Sequence, residues 1–573
     1  MFNPTQQQIE ILNCDTHCVV AAGPGSGKTT TLAHKISQVL KSLRWYQGVI
    51  AISYTNKASD ELKRKSEQLS DDVKNSSFST IDSFCISNIL LPFGKHFFGL
   101  PKQKVTIDKS RLDYEKVQEI KYFLEKLVIK YADVPLNELV SNAIEPIAEI
   151  RERDLVLISK HYQEGYFDLR LLGHISYLIY ISSKSCRDYF KSRYKYVFID
   201  EFQDSGLEQY LLFIRLAETG LNSWAIGDVN QSIFGFAEKS SEYIFQLIEN
   251  PKFVKLPMNI NHRCHESIDF YSKKLMNFDV TYSGDSRVFE LHDAGNEASI
   301  ASWLTADLPI IREVFGVTHN SEIGVLAKTE RTLELFSQQL AAPFRIHLKT
   351  PLENDQTLWG ALFKDLLYFS LGSISIFDFI DGYLDRETPQ LAPLVNKVKQ
   401  LIMKLKVLVE RYMNDEIALL DSICDEFVKI ALLMYPESKN DNSISLVRQI
   451  FEKEQLLTTY SPSDKNQIQL MTLHKSKGLE YDVVIHLDLY QFIIPGYDWV
   501  VKSIEREFHE SRNLHYVGVT RARKALFLAT SENRFITKTK KFDTAQPSEF
   551  LFASGIDAYR LKWNEFKKSK MLT

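Results

Sequence analysis

The chain has 573 residues, of which 44% are hydrophobic and 25% are charged, and this is the balance of a globular protein of about three to five domains. Its formal net charge of −4 excludes an overall basic character, so charge by itself gives no sign of nucleic-acid binding. The six cysteines are scattered, which suits a reducing compartment. The sequence has no signal-peptide pattern and no apolar run of roughly 20 residues, so we expect a cytoplasmic protein with no membrane partner.

Short apolar runs without alternation recur along the chain, with longer helical stretches between them. Such runs are typical of buried strands in a parallel sheet, and strands separated by helices predict an α/β fold. Two stretches, residues 91–190 and 355–460, have helical periodicity and few strand signals, and we interpret each as a mainly helical insertion. The predicted strands are residues 17–22, 49–54, 196–199, 224–226, 323–327, 483–487 and 525–529.

A phosphate-binding loop follows the first predicted strand. Glycines there let backbone N–H groups turn toward phosphates, and the helix that follows adds the positive end of its dipole. Lys28 is expected to reach the β- and γ-phosphates of ATP, and the Thr29 hydroxyl is expected to bind Mg²⁺. Ala22 stands where the strict motif has glycine. The predicted nucleotide-binding residues of this segment are Ala22, Gly23, Pro24, Gly25, Ser26, Gly27, Lys28, Thr29 and Thr30.

A second apolar strand, residues 196–199, ends in the acids Asp200 and Glu201. A strand that delivers an aspartate to Mg²⁺ is the second half of a P-loop ATPase. The adjacent Glu201 is placed to orient and deprotonate the attacking water. A strand that ends in two acids is a weak signal alone, but together with the phosphate-binding loop it predicts ATP hydrolysis.

Further short segments stand in a fixed order around these two motifs. Together with residues 200–204 (DEFQD), they resemble the motifs of superfamily 1 DNA helicases of the UvrD/Rep/PcrA type. The resemblance covers nearly all of both predicted α/β domains and weakens in the helical insertions. The segments are residues 2–6 (FNPTQ), 53–58 (SYTNKA), 80–84 (TIDSF), 227–236 (GDVNQSIFGF), 261–263 (NHR), 470–480 (LMTLHKSKGLE), 516–523 (YVGVTRAR) and 547–551 (PSEFL).

The resemblance implies roles for several residues around ATP. Gln6 would read the adenine, and His262, which stands where the family has tyrosine, would stack on it. Gln231 would sense the γ-phosphate, and Glu480 would bind the ribose. These four residues complete the predicted nucleotide site around the phosphate-binding loop.

The resemblance also implies two arginine fingers, Arg263 and Arg521. Such a cation stabilises the charge that spreads during phosphoryl transfer and is worth about 10³–10⁵ in rate. We expect both on the second α/β domain, so that hydrolysis would depend on closure of a cleft around ATP. The predicted catalytic residues are Lys28, Glu201, Gln231, Arg263 and Arg521.

A third set of residues is expected to contact DNA. Phe234 and Phe236 stand where the family has tyrosine and tryptophan, and they retain a π-face that is worth about 1–3 kcal/mol for each stacked base. Asp82 stands where the family often has histidine, and Ala237 stands where it has arginine. The predicted DNA-binding residues are Thr55, Asn56, Lys57, Thr80, Phe234, Phe236, Thr472 and His474.

The implied fold class is α/β, with two RecA-like P-loop domains that each carry a mainly helical insertion. The first domain would comprise residues 1–90 and 191–255, with its insertion at residues 91–190. The second would comprise residues 256–354 and 461–573, with its insertion at residues 355–460 and a C-terminal tail.

The implied function is Mg²⁺- and ATP-dependent 3′-to-5′ movement on single-stranded or partial duplex DNA, in repair, replication or anti-phage defence. The compact size resembles helicase subunits of defence systems such as Gabija, and a nuclease subunit is then a candidate partner. One alternative is a DNA-activated ATPase that regulates a nuclease without productive unwinding. A nucleotide-sensing module is another, and a motor acting on RNA is a third. The nucleotide-sensing module is disfavoured by four intact catalytic residues, Glu201, Gln231, Arg263 and Arg521.

Overall fold

A computed structural model describes the chain in eight stretches. The chain divides into two units, Met1–Cys264 and His265–Thr573, and each unit is built on one large parallel sheet. The described residues are 2–70, 72–108, 112–141, 146–231, 242–355, 357–384, 392–536 and 539–571.

The first unit alternates strands and helices, as the sequence pattern predicts, and a run of helices interrupts this alternation between the third and sixth strands. In chain order its elements are α1 (Gln6–Asn13), β1 (Cys18–Ala22), α2 (Lys28–Ser42), β2 (Gly48–Ile52), α3 (Asn56–Leu69), β3 (Ser77–Ser79), α4 (Ile81–Phe84), α5 (Leu91–Phe93), α6 (Lys95–Phe98), β4 (Thr106–Asp108), α7 (Tyr114–Lys130), α8 (Leu136–Ser141), α9 (Glu152–Gln163), β5 (Tyr166–Asp168), α10 (Leu172–Ser182), α11 (Lys184–Arg193), β6 (Tyr194–Ile199), α12 (Leu207–Glu218), β7 (Asn222–Gly227), α13 (Glu242–Glu249) and β8 (Val254–Met258).

The sheet of the first unit has six parallel strands in the order β3-β2-β6-β7-β1-β8. Its inner strands are covered on both faces, which explains why they read as continuous apolar runs. Helices α1 and α2 pack on one face through residues such as Ile11 and Ile36. Helices α10 and α12 pack on the other face through residues such as Ile175 and Leu212.

Strand β8 differs from the sequence expectation. The predicted domain boundary between residues 255 and 256 falls inside this strand, which pairs in parallel with β1 from Cys18 opposite Val254 to Ala22 opposite Met258. This pairing keeps the chain in the first unit as far as Cys264. Residues 256–264, including Arg263, therefore belong to the first unit, and the prediction that Arg263 lies on the second domain is wrong.

The helical insertion of the first unit is joined to the sheet layer by a buried cation. Arg215 on α12 is 1% exposed. Its guanidinium donates hydrogen bonds to the carbonyl oxygens of Tyr131, Ala132 and Val134 at 2.5, 3.0 and 2.8 Å. These carbonyls lie in the segment just after α7, outside the helical hydrogen bonds, and therefore need other donors. One side chain thus fixes the insertion to the layer that carries the candidate site.

The second unit has the same alternation, with its helical run between the eleventh and twelfth strands. In chain order its elements are α14 (Glu266–Leu275), β9 (Val288–Asp293), α15 (Glu297–Phe315), β10 (Ile323–Ala327), α16 (Glu330–Ser337), β11 (Phe344–Ile346), α17 (Pro351–Asn354), α18 (Leu358–Ser370), α19 (Ile376–Tyr383), α20 (Ala392–Met413), α21 (Leu420–Met434), α22 (Asp441–Phe451), α23 (Glu454–Thr458), β12 (Ile468–Thr472), β13 (Tyr481–His486), α24 (Tyr497–Lys502), α25 (Glu505–Val519), β14 (Ala522–Ser531), β15 (Asn533–Ile536), β16 (Lys541–Thr544), β17 (Leu561–Lys562) and α26 (Trp563–Met571).

The sheet of the second unit has seven parallel strands in the order β11-β12-β10-β13-β14-β9-β17. Helices α18 to α23 lie in the predicted insertion, and their apolar side chains, among them Trp359, Phe363 and Phe427, belong to the same hydrophobic core as the strands. A separate antiparallel hairpin is formed by β15 and β16. Within the described ranges, no helix is both long enough and apolar enough to cross a membrane.

We predict that Arg215→Met destabilises the first unit by about 3–5 kcal/mol, because three carbonyls that are buried or partly buried lose a charged donor. Arg153→Met is the matched control, since Arg153 is 60% exposed and its surface ion pairs should contribute no more than about 1 kcal/mol. Denaturant unfolding of both variants beside the wild type measures the difference. Equal unfolding midpoints for the two variants would show that the buried guanidinium does not hold the insertion.

Candidate functional site

The phosphate-binding loop lies at the carboxyl end of β1 and leads into α2. Gly25 and Gly27 have left-handed backbone angles, with φ of 66° and 86°, that other residues rarely adopt. The Ser26 hydroxyl donates to the carbonyl oxygen of Gly23 at 2.8 Å and closes the loop internally. Lys28 opens α2, and its ammonium lies 3.5 Å from the same carbonyl. The loop therefore presents backbone N–H groups, a helix N-terminus and one cation to the same space, as phosphate binding requires.

Helix α1 supports this loop through a residue that the sequence reasoning missed. Gln8 is 3% exposed and its amide donates to the Ser26 carbonyl oxygen at 3.1 Å. Gln6, the predicted adenine reader, is exposed and its amide donates to Glu10 at 3.2 Å. The capping box that Gln8 forms with Thr5 was a signal in the sequence that could have identified it.

The segment after β8 packs directly on the phosphate-binding loop. The backbone N–H of His262 donates to the Gly25 carbonyl oxygen at 2.9 Å. The Asn261 carboxamide oxygen accepts from the backbone N–H of Arg263 at 2.8 Å. A Cβ atom added to Gly25 would lie 2.5 Å from the Arg263 Cβ. Arg263 therefore belongs to the same unit as the loop, and not to the second domain as we expected.

The acidic pair follows β6, two strands away from β1 in the sheet. Asp200 is 7% exposed, and burial, together with the neighbouring Glu201, raises the pKa of its carboxyl group, while Lys28 lowers it. Glu201 has left-handed angles, φ 56° and ψ 39°, which are uncommon outside glycine. Lys28 and the two acids thus lie within electrostatic reach of one another at one edge of the sheet.

The segment after β7 joins this group through hydrogen bonds. Asp228 is 2% exposed, and its carboxylate accepts from the Gln231 amide at 2.8 Å and from the Asn230 backbone N–H at 3.0 Å. Burial raises the pKa of Asp228, and Lys28 lowers it. Gln203 donates to Glu201 at 2.5 Å and accepts from the Asp228 backbone N–H at 3.0 Å. Gln203 and Asp228 belong to the motifs described above, but no site role was predicted for either of them.

The donor set of this edge fits a magnesium ion. Mg²⁺ prefers oxygen ligands from one or two carboxylates or hydroxyls, with phosphates and water completing the shell. Thr29 lies in the first turn of α2, and Asp200 lies directly after β6. The pKa of the Asp200 carboxyl group is raised because the group is buried and nearby cations do not fully neutralise its charge. These are the two residues that would hold the ion.

Two helix starts lie at the same carboxyl edge, after β2 and β3. The Thr55 hydroxyl caps α3 by accepting from the Ala58 N–H at 3.2 Å, and the Thr80 hydroxyl accepts from the Ser83 N–H at 3.3 Å. Asn56 and Lys57 are exposed in the first turn of α3. The threonine hydroxyls therefore have local capping roles, and the start of α3 combines a helix dipole with an exposed cation, a favourable place for phosphate.

In the second unit, the segment between β12 and β13 runs from one edge of the sheet to the other. Thr472 ends β12, and Glu480 directly precedes β13, which is parallel and lies two strands away across β10. Burial and the cations Lys328 and Lys477 lower the pKa of His474, which makes its ring neutral at neutral pH. The two predicted DNA contacts thus lie at the carboxyl edge, and Glu480 lies exposed at the amino edge.

Arg521 directly precedes β14 and is 2% exposed. Its guanidinium donates to the carbonyl oxygens of Val517 at 3.0 Å and Leu479 at 3.2 Å. The Tyr481 N–H donates to the Arg521 carbonyl oxygen at 2.9 Å, which ties this residue to the segment that carries Glu480. The second unit therefore brings Arg521 and Glu480 together at one edge of its sheet.

Phe234 and Phe236 fall in residues 232–241, outside the described residues. Ala237 falls there as well.

We predict that Gly25→Ala weakens ATP binding more than about fivefold. An alanine here would be strained by the left-handed φ, and its Cβ would displace residues 261–263. Together these effects should cost about 1–3 kcal/mol of binding free energy. Gly316→Ala is the matched control, because Gly316 has φ 56° and no atom within 4 Å of an added Cβ. Equilibrium binding of a fluorescent ATP analogue, with thermal melting, distinguishes the two. Equal affinities would show that the loop tolerates the displacement.

Two family models match the chain. Residues 3–252 match the UvrD/REP helicase N-terminal domain, and residues 389–533 match the UvrD-like helicase C-terminal domain. The chain is 23% identical to the ATP-dependent DNA helicase Rep of Buchnera aphidicola, with 95% of each chain covered. It is 25% identical to the Gabija protein GajB of Bacillus cereus, with 92% of this chain and 95% of the relative covered.

A third relative is the ATP-dependent DNA helicase PcrA of Staphylococcus epidermidis, 22% identical with 96% of this chain and 85% of the relative covered. The two domain matches together span more than half of the 573 residues and include the phosphate-binding loop, the acidic pair and Arg521. The chain belongs to the UvrD/Rep family of ATP-dependent DNA helicases.

Proposed function

We propose that this protein hydrolyses ATP with Mg²⁺ to move 3′ to 5′ along single-stranded DNA and to separate partial duplexes. The observation that carries the proposal is the network at the carboxyl edge of the first sheet. There Lys28, the carboxylates of Asp200 and Asp228, and Gln231 share one electrostatic environment. A cluster of one cation and several carboxylates suits the binding of a phosphate group together with a divalent ion.

The hydrolysis step assigns each group a role. The backbone N–H groups of the phosphate-binding loop and Lys28 hold the β- and γ-phosphates. Thr29 and Asp200 would hold a Mg²⁺ ion, which would neutralise phosphate charge. Glu201 accepts the proton of the attacking water. Gln231 and Arg263 contact the γ-phosphate, and Arg263 is favoured for this by its packing on Gly25.

The second unit contributes Glu480 and Arg521 in this proposal, as the family resemblance implies. The hydrogen bonds from Arg521 to Val517 and Leu479 support a preorganised guanidinium, because its orientation is fixed before it meets a phosphate. Gln6 and His262 are proposed to contact the adenine. His262 is exposed and lies beside the phosphate-binding loop through its backbone, which suits this role.

The DNA track is proposed to use the carboxyl edges of both sheets. In the first unit, the start of α3 offers Thr55, Asn56 and Lys57, and Thr80 lies at the next helix start. In the second unit, Thr472 and His474 lie at the end of β12, and the neutral His474 ring can stack or donate without a charge cost. Phe234 and Phe236 are proposed to stack on bases, a role that rests on the motif alone.

A role in anti-phage defence beside a nuclease partner is the second candidate, and the similarity to GajB over 95% of that protein favours it. In this version the chain is a DNA-activated ATPase that regulates the nuclease without productive unwinding. A strand-displacement assay with the isolated protein separates the two candidates, because only the first requires unwinding in the absence of a partner.

We predict that Glu201→Gln retains ATP binding and lowers hydrolysis by roughly 10²–10⁴, because glutamine keeps the size of the side chain and removes the base. Lys28→Ala is the contrasting variant, expected to lose turnover through loss of phosphate binding with its fold intact. Filter binding of ATP, steady-state turnover and circular dichroism are measured on both variants. Wild-type turnover in Lys28→Ala would refute the assignment of the phosphate-binding loop.

We predict that single-stranded DNA raises ATP turnover by at least about tenfold, and that Lys57→Ala reduces this stimulation while basal turnover persists. Lys57 is exposed at the start of α3, so its loss removes a phosphate contact. Lys63→Ala is the control, since Lys63 lies 51% exposed further along the same helix. Turnover is measured with and without DNA at low and moderate salt. Equal turnover under all conditions would count against a DNA motor.

A further inference from the structure

Gln203 is a buried residue next to the proposed base. It lies in the short turn Phe202–Asp204 that follows Glu201, and its side chain is 0% exposed. Its amide nitrogen donates to the Glu201 carboxylate at 2.5 Å, and its amide oxygen accepts from the Asp228 backbone N–H at 3.0 Å. One side chain thus joins the segments after β6 and β7.

The two partners fix which way the amide points. The Glu201 carboxylate, when ionised, can only accept, and the Asp228 N–H can only donate, so only a group with a donor and an acceptor at this spacing satisfies both. Among side chains of this length, glutamine has such a group and neither glutamate nor methionine does. The orientation of the Glu201 carboxylate is therefore linked to the backbone of Asp228.

The link continues from Asp228 toward the proposed γ-phosphate sensor. The Asp228 carboxylate accepts from the Gln231 amide at 2.8 Å, and the Gln231 N–H donates to the Asp228 carbonyl oxygen at 3.0 Å. Gln231 is 4% exposed. The chain of contacts Glu201–Gln203–Asp228–Gln231 therefore sets the relative positions of the group that would take the proton and the group that would meet the phosphate.

Two features show that the contact is built into this edge. A Cβ atom added to Gly227 would lie 2.4 Å from the Gln203 amide oxygen, so the absence of a side chain at position 227 is what lets the amide approach. Glu201 has φ 56°, a sparsely populated region for a non-glycine residue that persists only where the surroundings hold it. The Gln203 hydrogen bond adds a restraint on the Glu201 side chain.

We propose that Gln203 is a positioning residue for ATP hydrolysis. It aligns the Glu201 carboxylate for the attacking water and fixes its position relative to Gln231. The inference rests on the proposed function, because it requires Glu201 to act as the base. Gln203 itself contacts neither the water nor the phosphate in this scheme, so its loss should lower the rate of the chemical step and leave nucleotide affinity in place.

The test compares Gln203→Met with Gln209→Met. Methionine keeps the length of glutamine and removes both hydrogen-bonding groups, and Gln209 is a matched control that caps α12 by accepting from the Gly206 N–H at 3.2 Å. We expect Gln203→Met to lower kcat about ten- to hundredfold, the range for loss of a hydrogen bond to a charged group. The Kd of a fluorescent ATP analogue should change less than about twofold, and Gln209→Met should match the wild type in both. A parallel fall in kcat, affinity and melting temperature would overturn the proposal in favour of a structural role.

A double-mutant cycle asks whether Gln203 acts through Glu201. In single-turnover hydrolysis, Gln203→Met should have less than about a twofold effect in the Glu201→Gln background, because the group that it positions is already gone. A full additional loss in that background would overturn the proposal. Wild-type turnover in Glu201→Gln alone would instead refute the proposed function. Loss of turnover in Glu201→Gln, with wild-type turnover in Gln203→Met, would overturn only the positioning role.

Two further variants keep the test decisive if Gln203→Met does not fold. Gly227→Ala displaces the amide while Gln203 is retained, and it should reproduce the fall in kcat with unchanged ATP affinity. Gln203→Glu keeps an acceptor for the Asp228 N–H and places a second carboxyl group against Glu201. The two carboxyl groups would share one proton, so Glu201 would no longer be a free base and kcat should fall at least as far as in the methionine variant. Wild-type kcat in either variant would overturn the proposal.

Discussion

The position of β1 between β7 and β8 is the constraint on which the first unit depends. All three strands are parallel, so the segments that leave them emerge at the same edge of the sheet. The phosphate-binding loop, the segment Asp228–Gln231 and the segment with Arg263 are brought together there by backbone pairing alone. The Gly23 N–H, which donates to the Met258 carbonyl oxygen at 2.9 Å, continues this pairing beyond the strand into the loop. Side chains from distant parts of the chain can then share one small volume.

The carboxyl edge of the first sheet holds buried carboxyl groups whose charge Lys28 neutralises only in part. Asp200 and Asp228 are both buried, and the pKa of each is raised by burial and lowered by Lys28. Desolvated carboxylates of this kind cost stability unless a cation shares them. In the proposed function, a nucleotide and its divalent ion would gain from charge that is already in place. A site of this type therefore lowers folding stability and is preorganised for its ligand, as catalytic sites often are.

Sequence patterns were sufficient for the inner strands and for the motif residues at their ends. β2 is buried at all five positions and β10 likewise, so their apolar runs carry a clear signal. β8 was missed because it is an edge strand, mostly exposed and interrupted by Pro257, and such a strand lacks both the apolar run and the alternation on which prediction relies. Without β8, Arg263 was assigned to the wrong unit. Gln203 was beyond prediction for a different reason, since its role depends on a contact with a segment 25 residues away.

The edge position of β8 also decides where the first unit can be cut for study in isolation. The family match ends at residue 252, just before this strand, whereas the unit itself ends at Cys264. A fragment that stopped at 252 would leave β1, whose Cys18, Val19 and Val20 are at most 1% exposed, as a bare apolar edge with free backbone groups. Such edges pair with other chains and aggregate. A fragment therefore has to include β8, through Met258, to cover this edge, and it contains the whole unit when it extends to Cys264, twelve residues past the limit that sequence comparison suggests.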